Sequence, residues 1–78
     1  MRYFVHIEEP EACHLDGEGS IFRSMEAIYE ELRESAREMM ADKIRQGRSI
    51  VGWAFVVVDA TGTKILRYPF MDAIERTN

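Results

Sequence analysis

Apolar residues occupy every second position at the start of the chain. Tyr3, Val5 and Ile7 alternate with other residues across positions 2–8, whose sequence is RYFVHIE. Side chains on a β-strand point to its two faces in turn, so this spacing predicts a strand with a continuous apolar face. We expect that face to contact the core.

A turn and a second strand follow. Pro10 lies among acidic residues and predicts a turn, because proline fixes its own backbone angle and has no N–H group to donate to a sheet. The second strand is expected over residues 13–22. We expect a bend or bulge at Gly17 and Gly19, since glycine adopts positive φ without steric cost.

The pairing of these two strands depends on where the turn is centred. A turn centred on Pro10 places Val5 opposite Leu15, and Ile7 opposite Cys13. This register is favoured because it brings the apolar residues of both strands to one face. The opposite face then carries three further pairs: His6 with His14, Phe4 with Asp16, and Glu8 with Ala12.

A long amphipathic helix is predicted from Ser24 to Gln46. Ser24 suits the N-cap, Glu26 complements the positive end of the helix dipole, and Gly47 suits the position after the helix end. Apolar residues recur at steps of three and four, which lines one side of a helix. They are Met25, Ile28, Tyr29, Leu32, Ala36, Met39, Met40 and Ile44.

A second hairpin completes the pattern. Residues 50–58 are apolar on both faces, as is typical of a strand covered on two sides, and a DATG turn leads to a strand over residues 63–68. Pro69 ends that strand, and residues 70–75 are predicted to form a helical turn. The chain is therefore predicted to be one α+β domain over residues 1–78, an antiparallel β-β-α-β-β sheet with the helix on one face.

One helix covers only one face of a sheet, so the other face keeps apolar side chains. Exposed apolar patches commonly mark association sites. A chain of 78 residues also buries only about 60% of its unfolded surface. We therefore expect a homodimer, formed through this face or its edge. The predicted interaction residues are Phe4, His6, Trp53 and Val56.

Composition limits the partners. The 10 basic and 14 acidic residues give a net charge of -4, which disfavours non-specific binding to nucleic acid or anionic lipid. The sequence shows no apolar run of membrane-spanning length and no signal-type segment, and Cys13 is its single cysteine. These features predict a cytoplasmic protein with no membrane partner.

Histidines and carboxylates suggest one chemical site. In the register above, His6, His14 and Asp16 share a face, and two imidazoles with a carboxylate can bind zinc or iron. The alternative is an ordinary polar face, because no CxxC or HExxH motif is present. Cys13 and His14 point to opposite faces of a strand, which places the imidazole badly to activate the thiol. Without a catalytic motif, we expect a non-enzymatic protein that holds no cofactor.

Basic residues gather at the end of the predicted helix. Lys43, Arg45 and Arg48 form this cluster, and Lys64 and Arg67 of the last strand are candidates to join it. Such a cluster can contact phosphate groups of a nucleic acid. Equally, basic side chains complement the negative end of a helix dipole without any ligand.

Several motifs, taken together, resemble a known family. They are RYFVH at the start, DGEG at residues 16–19, SMEA at the helix start, GRSIVGW after the helix, and VVDATGTKILRYPFMDAI near the end. Their order and spacing resemble a family of short bacterial proteins of unknown function that is common in rhizobia and related alphaproteobacteria. The resemblance implies no activity. It matches His6, Asp16 and Gly19 to family positions, whereas Cys13 and His14 stand where mainly apolar residues are expected.

Three functions follow from these observations. The first is a small non-enzymatic interaction or regulatory module that associates with itself. The second is a nucleic-acid-associated regulator that uses the basic cluster, in the manner of the small antitoxin modules that the element order resembles. The third is a small metal-binding protein that uses His6 and His14.

Overall fold

The fold is a five-stranded antiparallel sheet with one long helix. The computed structural model describes residues 1–74. The strands pair in the order β2-β1-β4-β5, and β3 pairs with β1 beside β2, so the predicted α+β fold is confirmed. The elements are β1 Arg2–Glu8, β2 Cys13–His14, β3 Ser20–Ile21, α1 Met25–Arg45, β4 Ala54–Asp59, β5 Lys64–Pro69 and a 3-10 turn Phe70–Ala73.

The core lies between α1 and one face of the sheet. Buried helix positions recur every four residues, which places them on one side of α1; they are Ile28, Leu32, Ala36 and Met40. The ring of Phe70 is fully buried, with its centroid 4.6 Å from that of Phe55 and 5.8 Å from that of Trp53. Arg37 Nε donates to the Ala73 carbonyl at 2.7 Å and ties the 3-10 turn to the helix.

Local signals set the ends of α1 as predicted. Ser24 is the N-cap, and its hydroxyl accepts the Ala27 N–H at 3.1 Å. Gln46 is the C-cap, and Gly47 follows with φ of +75°, a conformation that is strained for residues with a Cβ. The 3-10 turn at Phe70–Ala73 confirms the predicted helical turn in part; its expected last residue, Glu75, lies outside the described residues.

The strand predicted over residues 50–58 begins later, at Ala54. Gly52 has φ of +83°, which is incompatible with an extended strand, and Trp53 N–H donates back to the Ile50 carbonyl at 3.2 Å. Val51 is 74% exposed in this turn. The apolar pattern was continuous through these positions, but the backbone turns there.

The register predicted for the first hairpin is wrong by one residue. Ile7 pairs with His14 and Glu8 with Cys13. The Glu9 N–H donates to the Ala12 carbonyl at 2.8 Å, which closes a two-residue turn centred after Pro10 rather than on it. A shift of one residue exchanges the faces of a strand. Cys13 therefore lies on the Glu8 side and His14 on the Ile7 side.

The second strand is interrupted near the glycines, as predicted. It divides into β2 and β3, with residues 15–19 as a loop between them. β3 resumes pairing with β1 through Tyr3 and Ser20. Leu15, which was expected on the core face, is 76% exposed in the loop. Gly19 has φ of +74°, so the glycine that the bend requires is this one.

Candidate functional site

The sheet face opposite α1 is the candidate functional site, and we call it the outer face. Tyr3, Val5 and Ile7 of β1 pack on the core, so the intervening residues point away from the helix. The pairing of β1 with β4 and of β4 with β5 extends this alternation across the sheet. The outer face is formed by Arg2, Phe4, His6 and Glu8 of β1, Ala54, Val56 and Val58 of β4, and Lys64, Arg67 and Pro69 of β5.

An ion pair crosses β4 on the outer face, near the end of β1. Arg67 Nε and Nη2 both lie 2.9 Å from Glu8 Oε1. Arg67 is opposite Val56, and Glu8 is opposite Ala54, so the pair spans β4 diagonally. Long side chains can cover apolar neighbours with their aliphatic carbons. Val56 is accordingly only 6% exposed although no helix covers it.

Asp16 organises the loop of residues 15–19, which we call the Asp16 loop. Its Oδ2 accepts the Val5 N–H at 3.1 Å, and its Oδ1 accepts the N–H groups of Glu18 at 3.1 Å and Gly19 at 3.0 Å. The carboxylate thus takes the place of a neighbouring strand at the middle of β1. The hydrogen bonds from Gly19 and then Val5 lower the pKa of the Asp16 carboxyl below its ordinary value of 3.8.

Three outer-face residues of β1 hold the Asp16 loop. His6 Nδ1 accepts the Asp16 N–H at 3.0 Å, and Arg2 Nη1 donates to the Glu18 carbonyl at 2.8 Å. Gly19 lies so close to Phe4 that an added Cβ would be 2.9 Å from Phe4 Cε1. The loop therefore folds against the outer face beside β1.

The three metal candidates are not brought together. His6 contacts Asp16, but His14 lies on β2, where its Nε2 pairs with Glu9. The predicted His6–His14 pairing is wrong, because His14 is opposite Ile7 and the two imidazoles therefore lie on different faces of the sheet. Across residues 1–74, no group of three or more His, Cys, Asp or Glu side chains is arranged to hold a metal ion.

Trp53 does not lie on the outer face. Its side chain is in the core, 7% exposed, and its ring lies beneath the Lys43 ammonium at 5.4 Å from Nζ to the centroid. Phe4, His6 and Val56, the other three predicted interaction residues, share the outer face. The prediction therefore united residues that lie on both sides of the sheet.

The basic residues at the helix end have contacts within the chain. Lys43 lies over Trp53, and Arg45 Nη1 pairs with Asp42 Oδ1 at 2.9 Å. Arg48 follows the helix, and its N–H donates to the Lys43 carbonyl at 2.8 Å. Lys64 and Arg67 do not extend the cluster, because their β5 positions oppose outer-face residues of β4.

The turns at Asp16 and Asp59 were both predicted from the sequence, but the role of an aspartate side chain in organising each turn was not. Besides Asp16, Asp59 Oδ1 accepts the Thr61 hydroxyl at 2.6 Å, the Thr61 N–H at 2.9 Å and the Thr63 N–H at 3.0 Å. The Thr61 hydroxyl bond, followed by the Thr63 amide bond, lowers the pKa of Asp59. Aspartate followed by glycine two to four residues later is the signal that would have indicated this role in both turns.

The fold and the outer face define a class, a small α+β domain whose candidate site is an open surface. Residues 1–74 enclose no pocket. No helix in the part of the chain that the structure describes is long and apolar enough to cross a membrane.

The chain belongs to the family described as a domain of unknown function (DUF6894), whose model matches residues 2–71. The expected membership of an uncharacterised-domain family is thereby confirmed. Comparisons with curated proteins and with solved structures find no match.

Proposed function

We propose that this domain is a non-enzymatic interaction module that forms a homodimer through the outer face. The observation that carries the proposal is the apolar surface that stays partly exposed at the Phe4 and Val58 end of the outer face, because Ala54 and Val56 at the other end are already buried in the single chain. Phe4 and Val58 are half-buried on the outer face. Ile65, which lies in the irregular part of β5 opposite Val57/Val58 and two residues from Arg67, belongs to the same face and is 39% exposed. Exposed apolar surface of this kind favours association.

The charges around this face favour a second copy as the partner. Lys64 lies on β5 at one side of the face, next to Arg67, whose charge is already paired with Glu8, while Asp16 and Glu18 lie in the Asp16 loop at the other side. Two sheets can pack face to face about a two-fold axis parallel to their strands. That axis brings the basic β5 of each copy over the acidic loop of the other.

The free edge of β5 is a poorer contact for self-association. Pro69 lacks an N–H group, the strand carries Lys64 and Arg67, and its pairing with β4 is irregular at Val57/Val58. Charges, proline and bulges are the features by which proteins protect exposed strands from pairing. This favours the face over the edge as the interface.

Light scattering after size exclusion, over a range of concentrations, tests the proposal. We expect a dimer mass at tens of micromolar, and Ile65→Glu is expected to weaken the dimer about tenfold or more, because it places an uncompensated charge in an apolar contact. Ile44→Glu is the matched control, since Ile44 is 65% exposed near the end of α1. A monomer mass throughout, or equal effects of the two variants, would overturn the proposal.

A nucleic-acid-associated role through Lys43, Arg45 and Arg48 receives less support. Lys43 and Arg45 already have an aromatic and an acidic neighbour, respectively, and the positions suit the negative end of the helix dipole. Retention of RNA or DNA in a low-salt mobility assay at micromolar protein, lost on reversing Arg48, would revive this role.

The same proposal places the domain in the bacterial cytoplasm. Its motifs resemble a family of bacterial proteins, and Cys13 is an exposed free thiol, which suits a reducing compartment. Fractionation of cells that express the tagged chain tests the location, and recovery in the periplasm would contradict it.

A further inference from the structure

The Asp16 loop depends on one hydrogen bond that only a neutral imidazole can accept. His6 Nδ1 accepts the Asp16 N–H at 3.0 Å, so the ring carries its hydrogen on Nε2. Protonation adds a hydrogen to Nδ1, and the imidazolium then has two donors and no acceptor. Two N–H groups would face each other at this position.

We propose that His6 is a pH-sensitive latch that holds the Asp16 loop on the outer face and releases it when the ring is protonated. Imidazole is the side chain whose protonation ordinarily changes between pH 5 and 8. The inference rests on the proposed function in so far as release affects self-association. The latch itself is a property of the monomer.

The groups facing His6 come from three elements. Asp16 approaches from the loop, Glu8 lies two residues along β1 on the same face, and Arg67 lies across Val56 on β5. Both carboxylates already have partners: the Asp16 oxygens accept the N–H groups of Val5, Glu18 and Gly19, and Glu8 is bound to Arg67. Asp16 keeps its charge over this pH range because backbone hydrogen bonds lower its pKa.

Release of the latch acts on the outer face through the rest of the loop. Gly19 lies so close to Phe4 that no Cβ would fit between them, and the Glu18 carbonyl accepts a hydrogen bond from Arg2. When the loop leaves, the acidic side chains that face the partner's β5 lose their fixed positions. Self-association is therefore expected to weaken as the pH falls from about 7.5 to about 5.5, across the range in which imidazole titrates.

Amide NMR of the full chain tests the latch directly. In the wild type, the Asp16 and Gly19 resonances are expected to move between pH 7.5 and pH 5.5, because their loop loses the bond to His6. Hydrogen exchange at these amides, corrected for the intrinsic effect of pH, is expected to rise about fivefold at pH 5.5, the ratio that one net hydrogen bond supports.

Two substitutions isolate His6. His6→Asn keeps an acceptor close to the position of Nδ1 but does not titrate, so its loop amides are expected to resemble the wild type at pH 7.5 and stay constant with pH. His14→Asn removes the other histidine, whose side chain pairs with Glu9 and not with the Asp16 loop, and should leave the pH response of the loop amides intact. A loop that responds to pH equally in the wild type and in His6→Asn would overturn the latch.

Mass measurements at the two pH values separate the latch from the dimer. If the loop amides respond to pH in a chain that stays monomeric, the latch is supported and the proposed function is overturned. If the dimer has equal affinity at both pH values and the loop amides do not respond to pH, the latch is overturned and the proposed function stands. A dimer that weakens at low pH in the wild type but not in His6→Asn supports both.

Discussion

Replacing Asp16 with asparagine tests the role of its carboxylate in the sheet. The substitution preserves size, but one of the two oxygens becomes an NH₂ group. If the remaining oxygen keeps the Glu18 and Gly19 amides, the NH₂ group faces the Val5 N–H, which Oδ2 now accepts at 3.1 Å. β1 then has an unpaired donor at the middle of its edge.

The expected loss in the free energy of unfolding is about 2 kcal/mol. The charge-assisted hydrogen bond to the Val5 N–H is replaced by two opposed donors, and the bonds to the Glu18 and Gly19 amides lose their charged acceptor. Because Asp16 is partly exposed to water, the total loss is limited to roughly this value. For a domain of this size, the melting temperature should fall by about 10 °C. Urea unfolding followed by Trp53 fluorescence measures the loss, because Trp53 is the single tryptophan and lies in the core.

The loss should depend on pH in a defined direction. The folded-state pKa of Asp16 is lowered from 3.8, so its carboxylate contributes stability that is fully present well above that value and is lost as the pH falls through the folded pKa. Wild type and Asp16→Asn should therefore converge in acid. Asp72→Asn, at an exposed position in the 3-10 turn, is the control. Equal stability of Asp16→Asn and the wild type at pH 7 would refute the reasoning.

Two further predictions concern packing. Phe70→Ala should lower the free energy of unfolding by about 3–5 kcal/mol, because the fully buried ring leaves a cavity beside Trp53 and Phe55; a loss below about 1 kcal/mol in urea titrations would contradict the packing. Gly19→Ala should cost about 1–3 kcal/mol, since a Cβ at φ of +74° would lie 2.9 Å from Phe4 Cε1 and from the Tyr3 carbonyl oxygen. Gly17→Ala, with open space around its Cα and no positive φ, is the matched control, and equal melting temperatures of the two variants would count against the contact.

Elements that depend on near neighbours could be predicted from the sequence. The N-cap of Ser24, the buried spacing of α1 and the glycine after its end involve residues within a few positions of one another. The alternation in Arg2–Glu8 and the interruption near Gly19 are equally local. Each is a property of backbone geometry and side-chain periodicity, which short stretches of sequence express directly.

The site required information that the sequence does not carry locally. The faces on which Cys13 and His14 lie depend on whether the turn is centred on Pro10 or after it. A shift of one residue in the register moves each of them to the opposite face. Trp53 entered the core because the backbone turns at Gly52 and Phe70 packs against its ring. Apolar periodicity is the same on either side of such a turn, so the pattern alone could not reveal it.

The sequence by itself determined the order of elements, the ends of the helix and the two-sided apolar character of β4. The tertiary structure decided which polar groups meet. The bond between His6 and Asp16 joins residues ten positions apart, and that between Glu8 and Arg67 joins residues 59 apart. Such contacts arise from strand register and sheet order, which are settled only when the whole chain packs and its buried backbone groups find partners.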